Sequence, residues 1–142
     1  MIKSQDLIDL FEYLGDWEAR YGYILDLGEK LPGLHEEDKT PERLVPGCES
    51  QVWVKAGFDD ASPPVLSFEA DGDAHMVRGI LAMLRELYNG RTAEEVLAFD
   101  IHGLLDRLGL IEQLSPTRRN GLEALIARIR TLAETSLATT SA

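Results

Sequence analysis

At 142 residues, the chain is long enough for one compact domain with its own hydrophobic core and too short for two of ordinary size. The formal net charge of -11 argues against nucleic-acid binding, which requires clustered Lys and Arg, and no apolar run could cross a bilayer. With one cysteine, the chain alone cannot form an internal disulfide or a cysteine-rich zinc or iron–sulfur site. We therefore expect a single cytoplasmic domain over residues 1–142, with no metal or cofactor of its own and with proteins as partners.

Two amphipathic helices are predicted at the N-terminus. The first has Ser4 as its candidate N-cap and stops at Gly15, whereas Asp16 is the candidate cap of the second, which Pro32 ends. Their apolar residues recur at the spacing of one helix face, namely Leu7, Leu10, Phe11 and Leu14 in the first and Trp17, Tyr21, Ile24 and Leu27 in the second.

A β-hairpin is predicted in the middle of the chain, after a charged surface loop over residues 33–45. Residues 51–56 and 65–70 alternate apolar with polar side chains, and the segment between them is rich in turn-forming residues. The alternation places Leu66 and Phe68 on the same face. The two strands should therefore form an antiparallel pair with one buried face.

Helical signals return after the hairpin. Asp73 is the candidate N-cap of the first of these helices. Thr92 and Glu95 have the spacing of a capping box, in which each side chain accepts a hydrogen bond from the other residue's backbone N–H. Ser115 followed by Pro116 should begin the last helix, because proline fits the first helical position.

This order of elements is typical of an α+β domain, in which the helices pack on one face of a small antiparallel sheet. We place the core at about residues 5–134 and expect residues 135–142, which are small and polar, to fray. Arg128 and Arg130 in the last helix fit a solvated face, which is the usual position of such charges.

The only cysteine lies in a segment that should turn tightly. Pro46 fixes its own backbone and Gly47 tolerates φ values that other residues avoid, so the chain should bend just before Cys48. A free cysteine commonly behaves as a buried small hydrophobe, and that alternative stays open. Glu49 and Ser50 make the surroundings of the thiol polar, which favours a reactive cysteine on a loop.

Several segments resemble one protein family. Residues 44–53, Leu-Val-Pro-Gly-Cys-Glu-Ser-Gln-Val-Trp, are similar to the active loop of the SufE/CsdE family of sulfur-acceptor proteins, which work beside cysteine desulfurases. Residues 71–79 resemble the strand-to-helix junction of that family, and residues 114–122 resemble the start of its last helix. The resemblance spans roughly residues 5–134.

The resemblance implies the same α+β fold, with a third short strand near residues 43–45, and it implies a function. Cys48 would take persulfide sulfur from a PLP-dependent cysteine desulfurase of the SufS/CsdA type and pass it to an iron–sulfur cluster scaffold. The desulfurase holds the cofactor, and its turnover would rise as its persulfide is removed. The protein would thus be an activator and co-substrate rather than an independent enzyme. Whether it forms a homodimer stays open.

Roles for individual residues also follow from the resemblance. Cys48 is the implied sulfur acceptor, and the implied partner-binding residues are Glu49, Ser50, Gln51, Trp53, Asp73 and Arg118. For Asp73, a role near the loop could hold together with the N-cap role. Arg118 could hold a charged loop in place or steady the incoming persulfide.

Chemistry favours a sulfur carrier over a cysteine hydrolase. A hydrolase needs a base beside the thiol, and none of His35, His75 and His102 is adjacent to Cys48 in sequence. Accepting sulfur needs only a thiolate, which attacks the outer sulfur of a persulfide. Because a persulfide is readily lost to reductants, we expect the loop to shelter Cys48 against an apolar pocket and to move outward when a donor docks.

Three alternatives are open. An IscU-type scaffold would need several thiolate or histidine ligands for its cluster, and this chain has one cysteine. A regulatory binding module would act on a desulfurase without carrying sulfur, in which case Cys48→Ser would keep its effect. A sulfur relay toward tRNA thiolation or cofactor synthesis would use the same chemistry with another acceptor.

Overall fold

The computed structural model describes residues 3–46 and 51–141, and within these ranges the chain forms six α-helices and one two-stranded sheet. In chain order the elements are α1 (Ser4–Leu14), α2 (Trp17–Glu29), β1 (Val52–Phe58), β2 (Leu66–Gly72), α3 (His75–Tyr88), α4 (Ala93–Ala98), α5 (Ile101–Arg107) and α6 (Pro116–Ser141). This order confirms the predicted α+β class. The helix α6 continues beyond residue 134. Within the described part of the chain, no helix is both long enough and apolar enough to span a membrane.

Most of the predicted helix starts are confirmed by their hydrogen bonds. The Asp16 carboxylate accepts from the Ala19 amide at 2.9 Å, and Thr92 and Glu95 form the complete capping box. Ser4 is wrong as an N-cap: Lys3 occupies that position, and its carbonyl already accepts from the Leu7 amide. Ser4 therefore lies inside the first helical turn.

The sheet is the predicted antiparallel hairpin, with a register that runs from Val52 opposite Gly72 to Phe58 opposite Leu66. One face of the hairpin is buried, because side chains alternate along each strand, and it presents Val52, Val54, Leu66, Phe68 and Ala70 to the core. The third strand implied near residues 43–45 is limited to one bridge, between Leu44 and Trp53.

The helices α3 and α6 cover this buried face, and α2 packs across α3. The α2–α3 contact is close because Gly79 faces the backbone of Ile24: a Cβ added at Gly79 would lie 2.2 Å from the Ile24 carbonyl oxygen. On the opposite face of the hairpin, Lys55 and Glu69 border an open groove against residues 33–43. The sheet thus has one packed side and one side with an open groove.

Candidate functional site

The segment that carries the cysteine begins and ends on described residues, although Gly47, Cys48, Glu49 and Ser50 themselves lie outside the described residues. The Val45 amide donates to the Val52 carbonyl at 2.8 Å, so the chain leaves and returns at neighbouring points. The described residues around Val45 and Val52 therefore form the base of the cysteine loop.

Asp73 holds the end of the loop. Its carboxylate accepts from the Gln51 amide at 3.1 Å, and its own amide donates to the Gln51 carbonyl at 3.2 Å. The N-cap prediction for Asp73 is wrong: Ala74 occupies that position and α3 begins at His75. The physical reason is the sheet register, which continues by one residue pair beyond Val52 and Gly72 and brings Asp73 opposite Gln51.

Arg128 holds the start of the loop. From α6, its guanidinium donates to the carbonyl oxygens of Arg43 and Leu44, each at 3.2 Å. The interpretation of Arg128 and Arg130 as a solvated face is wrong for both, because Arg130 also donates to a backbone carbonyl, that of Leu97, at 3.4 Å. The sequence carries no signal for the Arg128 contact, since its partners lie 84 and 85 residues away.

A small apolar cavity of about 40 Å³ adjoins the base of the loop. It lies between β1, α3 and α6, and its lining residues include Val52, Met76, Leu122 and the side chain of Arg118. Arg118 is fixed in the first turn of α6, where its amide donates to the Ser115 hydroxyl at 3.2 Å. The predicted site residue Arg118 thus meets β1, the strand that follows the cysteine in sequence, at this apolar cavity.

Trp53 lies on the other face of β1, away from this cavity, because successive side chains of a strand alternate. The Lys39 ammonium lies 5.1 Å from the centroid of its ring, in the range of a cation–π contact. Lys39 in turn contacts Glu36 at 3.1 Å and Asp71 at 3.5 Å. The half-buried indole is therefore backed by charged groups of the loop over residues 33–43.

Asp71 is a structural residue of this region that the sequence analysis did not single out. Only 7% of it is exposed, and its carboxylate accepts from the Leu34 amide at 3.0 Å and from the Gly72 amide at 2.8 Å. It also pairs with the guanidinium of Arg78, which donates a second hydrogen bond to the Leu31 carbonyl at 3.0 Å. Asp71 thereby fastens the start of the covering loop to the hairpin.

The environment of Asp71 favours its charged form. Burial raises the pKa of this carboxyl, whereas the hydrogen bonds from the Leu34 and Gly72 amides lower it. The positive charges of Arg78 and Lys39 act in the same direction, so the pKa of Asp71 lies below its usual range. The carboxylate is consequently ionised at neutral pH.

The histidines do not gather into a basic cluster. His102 pairs with Glu123 on the surface at 2.9 Å, and His35 and His75 are exposed at separate positions. Among residues 3–46 and 51–141, no three acidic, cysteine or histidine side chains lie close enough together to hold a metal ion. The described residues beside the base of the loop thus present an arginine and an apolar cavity.

Comparison with known proteins identifies a family and two relatives. Residues 5–133 match the model of the family described as SufE, an Fe–S metabolism associated domain. An uncharacterised SufE-like protein of Rhizobium etli is 46% identical over 131 residues, which cover 92% of this chain and 88% of that protein. Another, from Rhizobium meliloti, is 42% identical over 135 residues, with 94% and 96% covered.

A solved structure shows the same fold. The solution structure of a hypothetical protein from Thermus thermophilus aligns with a TM-score of 0.75 and 23% sequence identity, and the alignment covers 95% of this chain and 96% of the other. At that identity the likeness concerns the fold alone. The family match over nearly the whole sequence and the two relatives at 42% and 46% identity show that this chain belongs to the SufE family, whose role is in Fe–S metabolism.

Proposed function

We propose that this protein is a cytoplasmic sulfur acceptor, which takes persulfide sulfur from a PLP-dependent cysteine desulfurase onto Cys48 and delivers it to an iron–sulfur cluster scaffold. The observation that carries the proposal is the match of the chain to a family of Fe–S metabolism. The single cysteine of the chain falls in sequence between two residues that hydrogen bonds hold in place. Those two residues are Val45 and Gln51.

The proposed transfer is balanced without a further reactant. The Cys48 thiolate attacks the outer sulfur of the donor persulfide, a new S–S bond forms on Cys48, and the S–S bond of the donor breaks. The donor cysteine leaves as a thiolate, so no net oxidation or reduction occurs. A second step of the same kind passes the sulfur from Cys48 to the next thiolate.

The apolar cavity supports a carrier because it offers shelter to the transferred sulfur. A persulfide exposed to solvent is readily reduced or oxidised. Val52, Met76 and Leu122 would exclude water around a sulfur atom, while the guanidinium of Arg118 would favour its anionic form. In this proposal Glu49, Ser50 and Trp53 would contact the desulfurase next to the loop.

The test is intact-protein mass spectrometry of the wild type and Cys48→Ser after incubation with a cysteine desulfurase and cysteine, without reductant. We expect the wild type to gain the mass of one sulfur atom and the variant to gain none. Formation of alanine in both reactions shows that the desulfurase is active. If the wild type gains no sulfur, and if Cys48→Ser stimulates alanine formation as strongly as the wild type, the protein is a regulatory module instead.

A further inference from the structure

The chain segment that leads into the cysteine loop has little backbone pairing of its own. The two strands of the hairpin pair along their whole length, from Val52 to Phe58. Before the loop, in contrast, the chain is tied to β1 by the Leu44–Trp53 bridge and the hydrogen bond from the Val45 amide. This arm of the loop therefore depends on other contacts to keep its place.

Arg128 supplies such a contact from a rigid helix. The neighbouring residues Leu125, Ile126 and Ile129 are buried in the core, so the position of Arg128 on α6 is well fixed. A guanidinium presents several N–H donors in a planar fork. Here the two terminal nitrogens donate to two successive carbonyl oxygens, those of Arg43 and Leu44. One side chain of α6 thus holds two successive carbonyls of this arm.

We infer that Arg128 is a positioning residue for sulfur transfer: by clamping the Arg43 and Leu44 carbonyls it sets the base from which the Cys48 loop meets the donor. The inference rests on the proposed function. Transfer between two sulfur atoms requires them to approach at about 3–3.5 Å in a defined direction, and small displacements of a reacting group are costly in rate. Arg128 acts through the backbone and not on the sulfur.

The chain offers a matched control two residues away. Arg130 lies on the same helix, is half-buried as Arg128 is, and also donates to a backbone carbonyl, but that carbonyl belongs to Leu97 at the end of α4. Arg128→Ala and Arg130→Ala remove the same charge from the same helix. Among the described residues, the first removes a contact to the segment that leads into the cysteine loop, and the second removes a contact to α4.

The first readout is independent of sulfur chemistry. Hydrogen exchange of the Val45 amide, which donates to the Val52 carbonyl, reports whether the base of the loop stays closed. We expect Arg128→Ala to speed this exchange about tenfold, Arg128→Lys to speed it less because an ammonium can still donate, and Arg130→Ala to leave it within about twofold. Equal protection of the Val45 amide in the two alanine variants would overturn the inference.

The second readout is single-turnover transfer of sulfur to Cys48 over a range of desulfurase concentrations. Loss of positioning should lower the maximal rate about tenfold in Arg128→Ala and leave the half-saturating concentration within about twofold, whereas loss of a docking contact would raise that concentration. Arg128→Lys should recover part of the rate. A maximal rate equal to that of Arg130→Ala overturns the positioning role. A wild type that gains no sulfur overturns the proposed function instead, and hydrogen exchange then still decides whether the clamp exists.

Discussion

Asp73 and Gln51 exchange two hydrogen bonds at the point where the cysteine loop enters β1. The Gln51 amide donates to the Asp73 carboxylate at 3.1 Å, and the Asp73 amide donates to the Gln51 carbonyl at 3.2 Å. The side chain of Asp73 thus extends the hairpin by one polar contact, at a residue only three positions after Cys48.

The first prediction concerns that contact. Asp73→Ala removes the acceptor of the Gln51 amide, which is worth about 1 kcal/mol, so sulfur transfer to Cys48 should slow about fivefold. Asp73→Asn keeps an oxygen in place and should retain most of the rate. Single-turnover transfer followed by mass spectrometry measures both variants. If Asp73→Asn is as slow as Asp73→Ala, the charge of Asp73 matters rather than its hydrogen bond.

The second prediction tests whether the apolar cavity adjoins the thiol. Met76 is half-buried in its lining, and a charge at this position would act on Cys48 through a poorly solvated space. Because a nearby cation favours the thiolate, Met76→Lys should react with iodoacetamide about threefold faster than Met76→Gln, and Met76→Glu about threefold slower.

The control for the cavity places the same charges on α1. Tyr13 is 87% exposed there, so Tyr13→Lys and Tyr13→Glu change the net charge without entering the cavity. These two variants should alkylate at the same rate as the wild type. If the alkylation rate does not fall in the order Met76→Lys, Met76→Gln, Met76→Glu, the cavity does not adjoin the reactive thiol.

The third prediction is a dependence of stability on pH. The lowered pKa of Asp71 means that its charged form stabilises the folded state at neutral pH, and that this contribution is lost as the pH falls from the ordinary value of 3.8 through the lower folded value. Asp71→Asn should lower the free energy of unfolding at pH 7 by about 1–3 kcal/mol, and the difference from the wild type should shrink on acidification. Urea titrations at pH 7 and at a pH below 3.8 measure the free energy of unfolding of both proteins.

A surface carboxylate provides the comparison for Asp71. Asp106 is exposed on α5, so Asp106→Asn should change the free energy of unfolding by less than about 0.5 kcal/mol at either pH. A difference between Asp71→Asn and the wild type that grows on acidification would contradict the assigned direction of the pKa.

The fourth prediction concerns the close crossing of α2 and α3. Gly79→Ala would place a methyl group 2.2 Å from the Ile24 carbonyl oxygen, so the helices must separate, and the cost should be about 3 kcal/mol in the free energy of unfolding. Gly22→Ala is the matched variant on α2, because an added Cβ there meets nothing within 4 Å. It should stabilise the protein by about 0.5–1 kcal/mol. Equal midpoints of thermal unfolding for the two variants would disprove the close contact.

Apart from the cap of α1, where Lys3 and not Ser4 holds the N-cap position, the sequence was a sufficient guide where a structure depends on neighbours a few residues apart. The Asp16 cap and the capping box of Thr92 and Glu95 are local patterns, and both are confirmed. The alternation that buries Leu66 and Phe68 is equally local, and it predicted the hairpin and its buried face. The family motif around Cys48 likewise needs only consecutive residues.

Contacts between distant parts of the chain were beyond the same reasoning. Asp73 looks like a helix cap from its neighbours, but the strand register brings Gln51 within its reach and decides its partner. Arg128 looks like a surface charge until α6 is placed beside Leu44. Asp71 continues the polar face of β2 in sequence, and only the loop that folds over this face makes it a buried carboxylate.

The stacking of Lys39 on Trp53 also gives the protein a built-in optical probe. The chain has two tryptophans, so Trp17→Phe leaves Trp53 as its sole source of indole fluorescence. The emission of an indole responds to a neighbouring charge and to water, and Trp53 is bridged through Leu44 to the start of the cysteine loop. Docking of a partner on this face would therefore be visible in real time, in solution, and without a label attached to the only thiol.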